Sequence, residues 1–203
     1  AHDFRRIDPR TARIVLIEAG PRVLPNFTEQ HSSYARDTLT AMGVDVMTSS
    51  PVLQCDERGV DLADRRIEAG SVIWAAGIMA SPAAQWLSAE HDRAGRVVVR
   101  PDLSLQGFND IFVIGDTASV KDASGRPVPG LASAAKQMGN YVGKLIAARV
   151  AGQSLPPFRY RHQGTLATIG RRTAVVELGH IQLKGFVGWM FWSAVHIYFL
   201  IGI

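Results

Sequence analysis

Three short runs of continuous apolar residues constrain this chain most: Ile14-Val15-Leu16-Ile17, Val72-Ile73-Trp74 and Ile111-Phe112-Val113-Ile114. None alternates polar with apolar, and each ends in a small or acidic residue. A strand that reads this way is buried on both faces, as in a parallel sheet lying under helices. The expected class is α/β. Helical periodicity supplies the other layers. A helix is expected over 28–42, capped by Thr28, with Tyr34, Ala35, Leu39 and Met42 on its apolar face and Gly43 at its stop. Val44-Asp45-Val46 reads as the next strand. A second helix is expected over 131–150, where Ala135, Met138, Val142, Leu145 and Ile146 recur at helical spacing. Gly139 and Gly143 cost that helix stability and suit a close approach, by a packed sheet or by a ligand. Past a linker at 153–157, residues 166–178 read as a β-hairpin turning at Gly170-Arg171-Arg172.

Composition narrows the function classes. An apolar fraction of 47% over 203 residues supports a packed core and argues against disorder. The net charge of +4 is spread over Arg5, Arg6, Arg10, Arg13, Arg171 and Arg172. It is not clustered between aromatics as a nucleic-acid surface requires, and it suits an anionic membrane surface. The single cysteine, Cys55, forms no disulfide within the chain and no Cys-x-x-Cys redox pair, which fits a cytosolic location. The chain opens at Ala1 with no apolar signal core and stops inside an apolar run, so a piece of a longer protein is expected.

Chemistry concentrates at the ends of the apolar runs. Gly115 lets a ligand approach the backbone, and Asp116, at the carboxyl end of a strand, can accept hydrogen bonds from sugar-like hydroxyls; a solvated turn fits the local pattern too. Pro129-Gly130 leads into the second helix. Free N–H groups and the positive dipole end there favour an anion, such as the N1–C2=O edge of a reduced flavin. An ordinary helix start with Lys136 in water is the alternative. Glu18 ends the first run, where a carboxylate pairs with the ribose hydroxyls of a dinucleotide; it suits NADH over NADPH. Ala76 and Gly77 close the second run and are small enough for a dinucleotide to lie near, or for plain packing. The final nineteen residues, 185–203, carry no charge and could span a bilayer, and Trp189, Trp192 and Tyr198 suit a membrane interface.

In order and spacing these features resemble the type II NADH dehydrogenases, flavoproteins of the pyridine nucleotide-disulphide oxidoreductase superfamily. The stretch 103–118 is similar to the second FAD fingerprint, which assigns Gly115 and Asp116 to FAD, with Asp116 on the ribityl chain. The stretch 127–139 is similar to the family segment P…AQxAxQQG beside flavin and quinone. Ala132, Ala135, Gln137 and Gly139 match it; Ser133 and Met138 stand where Gln is usual. The resemblance implies flavin contact from the backbone of Ala135, Lys136 and Gln137, and a quinone side made by Ala132, Ser133, Gln137 and His196. His196 reads there as a proton donor or as a packed, capping residue. Glu18, Ala76 and Gly77 fall on the NADH side, and 185–203 resembles the segment preceding a membrane anchor.

The implied fold is a Rossmann-like, two-dinucleotide-binding-domain flavoprotein, incomplete here. It divides into the rest of an NADH-binding subdomain (1–80), the returning FAD-binding part (81–152) and a quinone- and membrane-facing region (153–203). The implied reaction passes electrons from NADH through FAD to a membrane quinone without proton pumping. The enzyme would lie on the cytoplasmic face of the inner (plasma) membrane, compatibly with a homodimer, and needs neither a metal nor a nucleic acid. Two other readings stay open. A soluble ferredoxin-type or NADH oxidase-type reductase is opposed by the aromatic tail. A non-catalytic membrane-associated relative is left open by Ser133 and Met138. The fragment alone is expected to be inactive.

Overall fold

A computed structural model describes residues 8, 11–77 and 79–200. The chain forms two compact units, Ala1–Trp74 with Gly164–Ile203, and Ala75–Gln163.

In the first unit, β1 (Ile14–Ile17) pairs in parallel with β2 (Val44–Met47), Ile14 opposite Val44. A parallel pair needs a crossover, and α1 (Glu29–Ala41) provides it. Gly43 stops the helix at φ 88°, a conformation that glycine adopts at little cost. A meander of β3 (Gln54–Asp56), β4 (Gly59–Asp61) and β5 (Arg66–Glu68) follows. A Cβ at Gly59 would fall 2.1 Å from the Ile67 carbonyl oxygen, so glycine is required there. The chain returns as an antiparallel sheet of β8 (Thr165–Gly170), β9 (Thr173–Leu178) and β10 (Ile181–Lys184). Val175 of the central strand is fully buried and joins Val23, Phe27, Ala35 and Ile169 in one core. The helix α4 (Gly185–Leu200) closes the unit. Gly188 lets it lie against β9, because a Cβ there would sit 2.7 Å from the Ala174 carbonyl oxygen.

Glu177 ties β9 to the start of α1. One carboxylate oxygen accepts from the Thr28 N–H (2.8 Å), from the Thr28 hydroxyl (2.6 Å) and from His31 Nδ1 (2.7 Å). The His31 side chain is 3% exposed, so this contact partners a polar group that water does not reach. Burial works to raise the Glu177 pKa, but the Thr28 hydroxyl and amide and then His31 outweigh it, and the carboxyl is held below its usual range.

In the second unit, α2 (Ala83–Trp86) precedes β6 (Val97–Val98), which pairs in parallel with β7 (Ala118–Ser119). The helix α3 (Ala132–Val150) packs Ala134, Met138 and Val142 onto Val97, Leu103, Leu105 and Val113. Two turns repeat one pattern. In each, an aspartate (Asp92, Asp122) accepts from the backbone two and four residues ahead, with Gly95 or Gly125 at positive φ and an arginine closing the turn. The Ser124 hydroxyl, chief among these donors, pulls the Asp122 pKa down to about 2.

Several expectations need correction. Residues 72–74 do not form a strand; Ile73 is 89% exposed, and among the described residues no strand lies beside them to complete the ladder. Residues 111–114 are extended but bridge only at Phe112–Ser104, because the Gly115 N–H leaves the sheet for Met138. Thr28 stands at the cap position of α1 without capping it, its hydroxyl being drawn to Glu177. Met42 and Ile146 are about half exposed rather than buried. The expected hairpin has a third strand, β10. Ile78, residues 201–203 and Arg5, Arg6 and Arg10 lie outside the described residues. Among those described, no helix is long and apolar enough to cross a membrane.

Candidate functional site

The second unit gathers most of the candidate residues at the N-terminal end of α3. Extended backbone at 111–114 delivers Gly115, whose φ of 66° is a left-handed conformation that strains most other residues. Gly115–Thr117 then makes a single tight helical turn, which swings Asp116 outward. The Gly115 N–H donates to Met138 Sδ at 3.2 Å, and a Cβ at Gly115 would meet Ala135 Cβ at 3.5 Å. Met138 thus holds the Gly115 turn against α3, which accounts for a thioether at a position where the resemblance has an amide. The Asp116 carboxylate lies against the Gly130 backbone, 3.2 Å from where a Cβ would stand. Gly130 therefore opens the space that brings the carboxylate beside the start of α3.

That helix start carries no side-chain cap: Leu131 occupies the cap position in extended conformation. Its first N–H groups and the positive end of its dipole make a place for an anion or a carbonyl edge. Gly115, Asp116, Ala132 and Ala135 surround it. Small side chains, a left-handed glycine and an exposed carboxylate suit a flat cofactor with a polyhydroxyl chain. The residues present fit the flavin that the sequence suggested.

One face of α3 is covered by an irregular strap, 155–162, held at successive turns of the helix. The Tyr141 hydroxyl donates to the Pro156 carbonyl (2.9 Å). The Gln137 amide bonds the Arg161 backbone twice, Nε2 to its carbonyl (2.9 Å) and Oε1 from its N–H (3.0 Å). Burial pushes the Tyr160 phenol up in pKa, and the Ser133 hydroxyl works to draw it down. The Tyr160 hydroxyl continues to His162 Nδ1 at 3.1 Å. The Gln137 side chain, expected toward the quinone, is engaged with this strap. Only the spacing of residues 137 and 141, one helical turn apart, could have hinted at a common partner.

Asp102 anchors the far end of α3. Burial works to raise its pKa, but the Ser104 hydroxyl and amide, Arg100 and Arg149 outweigh it and hold it low. Arg149, in the last turn, pairs with it at 2.8 Å, a favourable place for a cation near a helix C-terminus. Ala76 and Gly77 lie in an exposed connection. Gly77, at φ 97°, has nothing within 4 Å of a built Cβ, so the backbone there is open to approach.

The first unit holds the other two candidates. Glu18 follows β1; its N–H donates to Met47 O (2.8 Å), and one carboxylate oxygen accepts from the Gly20 N–H (2.7 Å). That bond fixes the carboxylate at the carboxyl edge of the parallel pair, where α/β sheets bind ligands. His196 stacks on Trp192 with centroids 3.9 Å apart, and its Nδ1 bonds the Trp192 carbonyl at 2.8 Å, so Nε2 is the nitrogen available to an outside partner. Trp189 and Trp192 line a cavity of about 450 Å3 with Thr168, Gly170, Arg171 and Arg172.

Comparison with known proteins adds the following. Residues 3–139 match the family model described as pyridine nucleotide-disulphide oxidoreductase. The chain is 37% identical over 211 residues to a type II NADH:quinone oxidoreductase of Mycobacterium tuberculosis, covering 98% of this chain and 44% of that protein. It is 34% identical to the type II NADH:quinone oxidoreductase of Staphylococcus haemolyticus, over 83% of this chain and 43% of that one. The chain therefore spans less than half the length of these relatives. Among solved structures, NDH2 from Plasmodium falciparum in complex with NADH superposes with a TM-score of 0.81 at 18% identity, covering 93% of this chain and 54% of that one. At that identity the likeness supports the fold, which agrees with the expected Rossmann-like α/β class.

Proposed function

Given that this chain belongs to the pyridine nucleotide-disulphide oxidoreductase family, we propose that it is part of a type II NADH:quinone oxidoreductase. The cofactor would be FAD, and electrons would pass from NADH to a membrane quinone without proton pumping. The observation that carries this reading is the turn at Gly115-Asp116 set against the uncapped start of α3.

The flavin, when bound, supplies the two-electron chemistry. The chain's own residues bind and orient. Asp116 would hold the ribityl hydroxyls, and Gly115 lets the cofactor reach the backbone. The N–H groups of Ala132 and Ser133 at the start of α3, ahead of those of Ala134 and Ala135 that donate to the Leu131 carbonyl, would stabilise negative charge on the ring edge in the reduced state. Lys136 and Gln137 follow in the same first turns. Glu18, oriented by the Gly20 N–H, would take the ribose hydroxyls of NADH.

The apolar helix α4, with Phe186, Val187, Met190, Ile197 and Leu200 at least half exposed, supports docking on a membrane surface. The cytoplasmic face of the inner membrane is the side where NADH is available. A homodimer is compatible with this arrangement.

The test is to purify the full-length protein in mild detergent, measure bound flavin by absorbance, and follow NADH oxidation with and without a short-chain quinone. Bound flavin with quinone-dependent oxidation is expected, and Asp116→Ala should empty the flavin site. Well-folded protein without flavin overturns the reading. Flavin with oxidation indifferent to quinone moves it to a soluble reductase.

A further inference from the structure

The cavity of about 450 Å3 in the first unit has walls of two kinds. Its size falls within the roughly 300–1,000 Å3 of small-molecule sites. Thr168, Gly170, Arg171 and Arg172 form the side on the hairpin, and Trp189 and Trp192 form the side on α4. Gly170 pairs with Thr173, so the two arginines are the whole of the β8–β9 turn, and both are exposed. Arg172 stands at φ 61°, a left-handed conformation that glycine or asparagine adopts at less cost. A long cationic side chain kept in a strained turn points to a use for the charge. Among the described residues no carboxylate pairs with Arg172. Residues 164–200 carry Arg171, Arg172 and Lys184 against one acidic residue, Glu177, and that carboxylate is bonded to Thr28 and His31.

The aromatic wall is held in place on its own helix. Trp189 stacks on Phe186 with centroids 5.7 Å apart, and Trp192 stacks on His196 at 3.9 Å. Trp189, Trp192 and His196 recur every three or four residues and make one stripe of α4. Phe186, Met190 and Ile197 make the neighbouring stripe, each more than half exposed, while Gly188 turns another side of the helix onto β9. The cavity therefore lies where a cationic turn, two indole rings and an exposed apolar stripe meet.

We propose that this cavity seats the phosphate headgroup of an anionic phospholipid. The Arg172 guanidinium, with Arg171 beside it, takes the phosphate oxygens in the forked geometry that suits them. Trp189 and Trp192 lie at headgroup level, the depth that indole rings favour in a bilayer. The acyl chains run along Phe186, Met190 and Ile197. A neutral occupant offers the guanidinium groups nothing. A zwitterionic lipid brings the same phosphate with an ammonium group that the arginines repel, so the cavity selects for net negative charge. The proposal deepens the membrane docking of α4 proposed above and rests on it.

The test compares the full-length flavin-loaded protein with its Arg172→Asn variant, in which the new residue suits the left-handed backbone and removes the charge. Co-flotation is measured with vesicles of phosphatidylcholine alone and of phosphatidylcholine mixed with phosphatidylglycerol. Arg172→Asn should bind the mixed vesicles about tenfold or more weakly, beyond the roughly fivefold that one arginine contributes through general attraction to an anionic surface. Its binding to phosphatidylcholine alone should be unchanged. Monomeric dihexanoyl phosphatidylglycerol should shift the tryptophan fluorescence saturably in the unaltered protein and not in Arg172→Asn. Inorganic phosphate at the same concentration should leave that fluorescence unmoved.

A loss of fivefold or less on mixed vesicles, with no saturable response to the monomeric lipid, overturns the headgroup site and leaves docking by α4 intact. An equal fluorescence shift with inorganic phosphate assigns the cavity to a free anion and likewise overturns it. If Arg172→Asn does not fold, Arg171→Gln decides by the same two measurements. If the unaltered protein floats with neither kind of vesicle, the docking reading falls and takes the headgroup site with it.

Discussion

Removing the Glu177 carboxylate should loosen the first unit by about 3 kcal/mol, roughly 1 kcal/mol for each of the three hydrogen bonds it accepts. Bonds to an ionised acceptor are worth more than neutral ones, but the Glu177 side chain is 17% exposed, and water recovers part of the loss. Glu177→Ala leaves Thr28 able to find water. His31, 3% exposed, cannot, and its stranded ring nitrogen dominates the cost. The sign of the pH dependence follows from the lowered Glu177 pKa. A carboxyl whose folded pKa is depressed contributes fully above its unfolded value near 4.5, and that contribution fades as pH falls through the lower folded value. The difference between unaltered and variant protein should therefore be full at pH 7 and shrink in acid below that range. The assay is native-state hydrogen exchange resolved by peptide. Peptides from Glu29–Ala41 and Thr173–Leu178 should exchange about a hundredfold faster at pH 7 in the variant, while Ala132–Val150 serves as an internal control. Acceleration below threefold in the first two, or equal acceleration in all three, would refute the assignment of this carboxylate as the tie between β9 and α1.

Three further outcomes are expected. Met138→Leu preserves volume but removes the acceptor of the Gly115 N–H; it should cost about 1 kcal/mol, read as a small drop in Tm, with Met138→Gln restoring an acceptor at the same site. Gln137→Ala removes both bonds to Arg161 and should make 155–162 the first site cut in limited proteolysis, with the helical signal in circular dichroism unchanged. The Asp122 carboxyl should titrate at about 2 by NMR, and Ser124→Ala, which deletes the leading hydrogen bond, should return it toward 3.8.

What could be read from the residues was local. The runs 14–17 and 44–46, the helix to Gly43 and the long helix to Val150 each carry their own periodicity or stop signal, and each formed within a residue or so of the expected bounds. The approach to Asp116 was legible because a glycine between an apolar run and a carboxylate has few uses. Partner choice was not legible. Residues 72–74 have the composition of a strand, but a ladder is a property of two segments, and composition says nothing about the second. The meander 54–68 is too short for either period to register, and its real signal is the crowding at Gly59. The strap is held by side chains of α3 that look like ordinary helix residues, and its own sequence has no period. Gln137 meets Arg161 across 24 residues and Tyr141 meets Pro156 across 15, so neither contact leaves a mark in any local window.

The bond from Thr28 to Glu177 joins residues 149 apart. A ribosome adding about 5–20 residues each second needs roughly 7 to 30 seconds to make that interval, longer by orders of magnitude than the microsecond or less in which a short helix equilibrates. During that wait α1 exists with its first turn unfinished and His31 without its carboxylate. The unit Ala75–Gln163 lies wholly inside the interval and can complete its own contacts before β9 emerges. Within this stretch the contacts therefore close from the middle outward, and β9, made later, seals α1, made earlier.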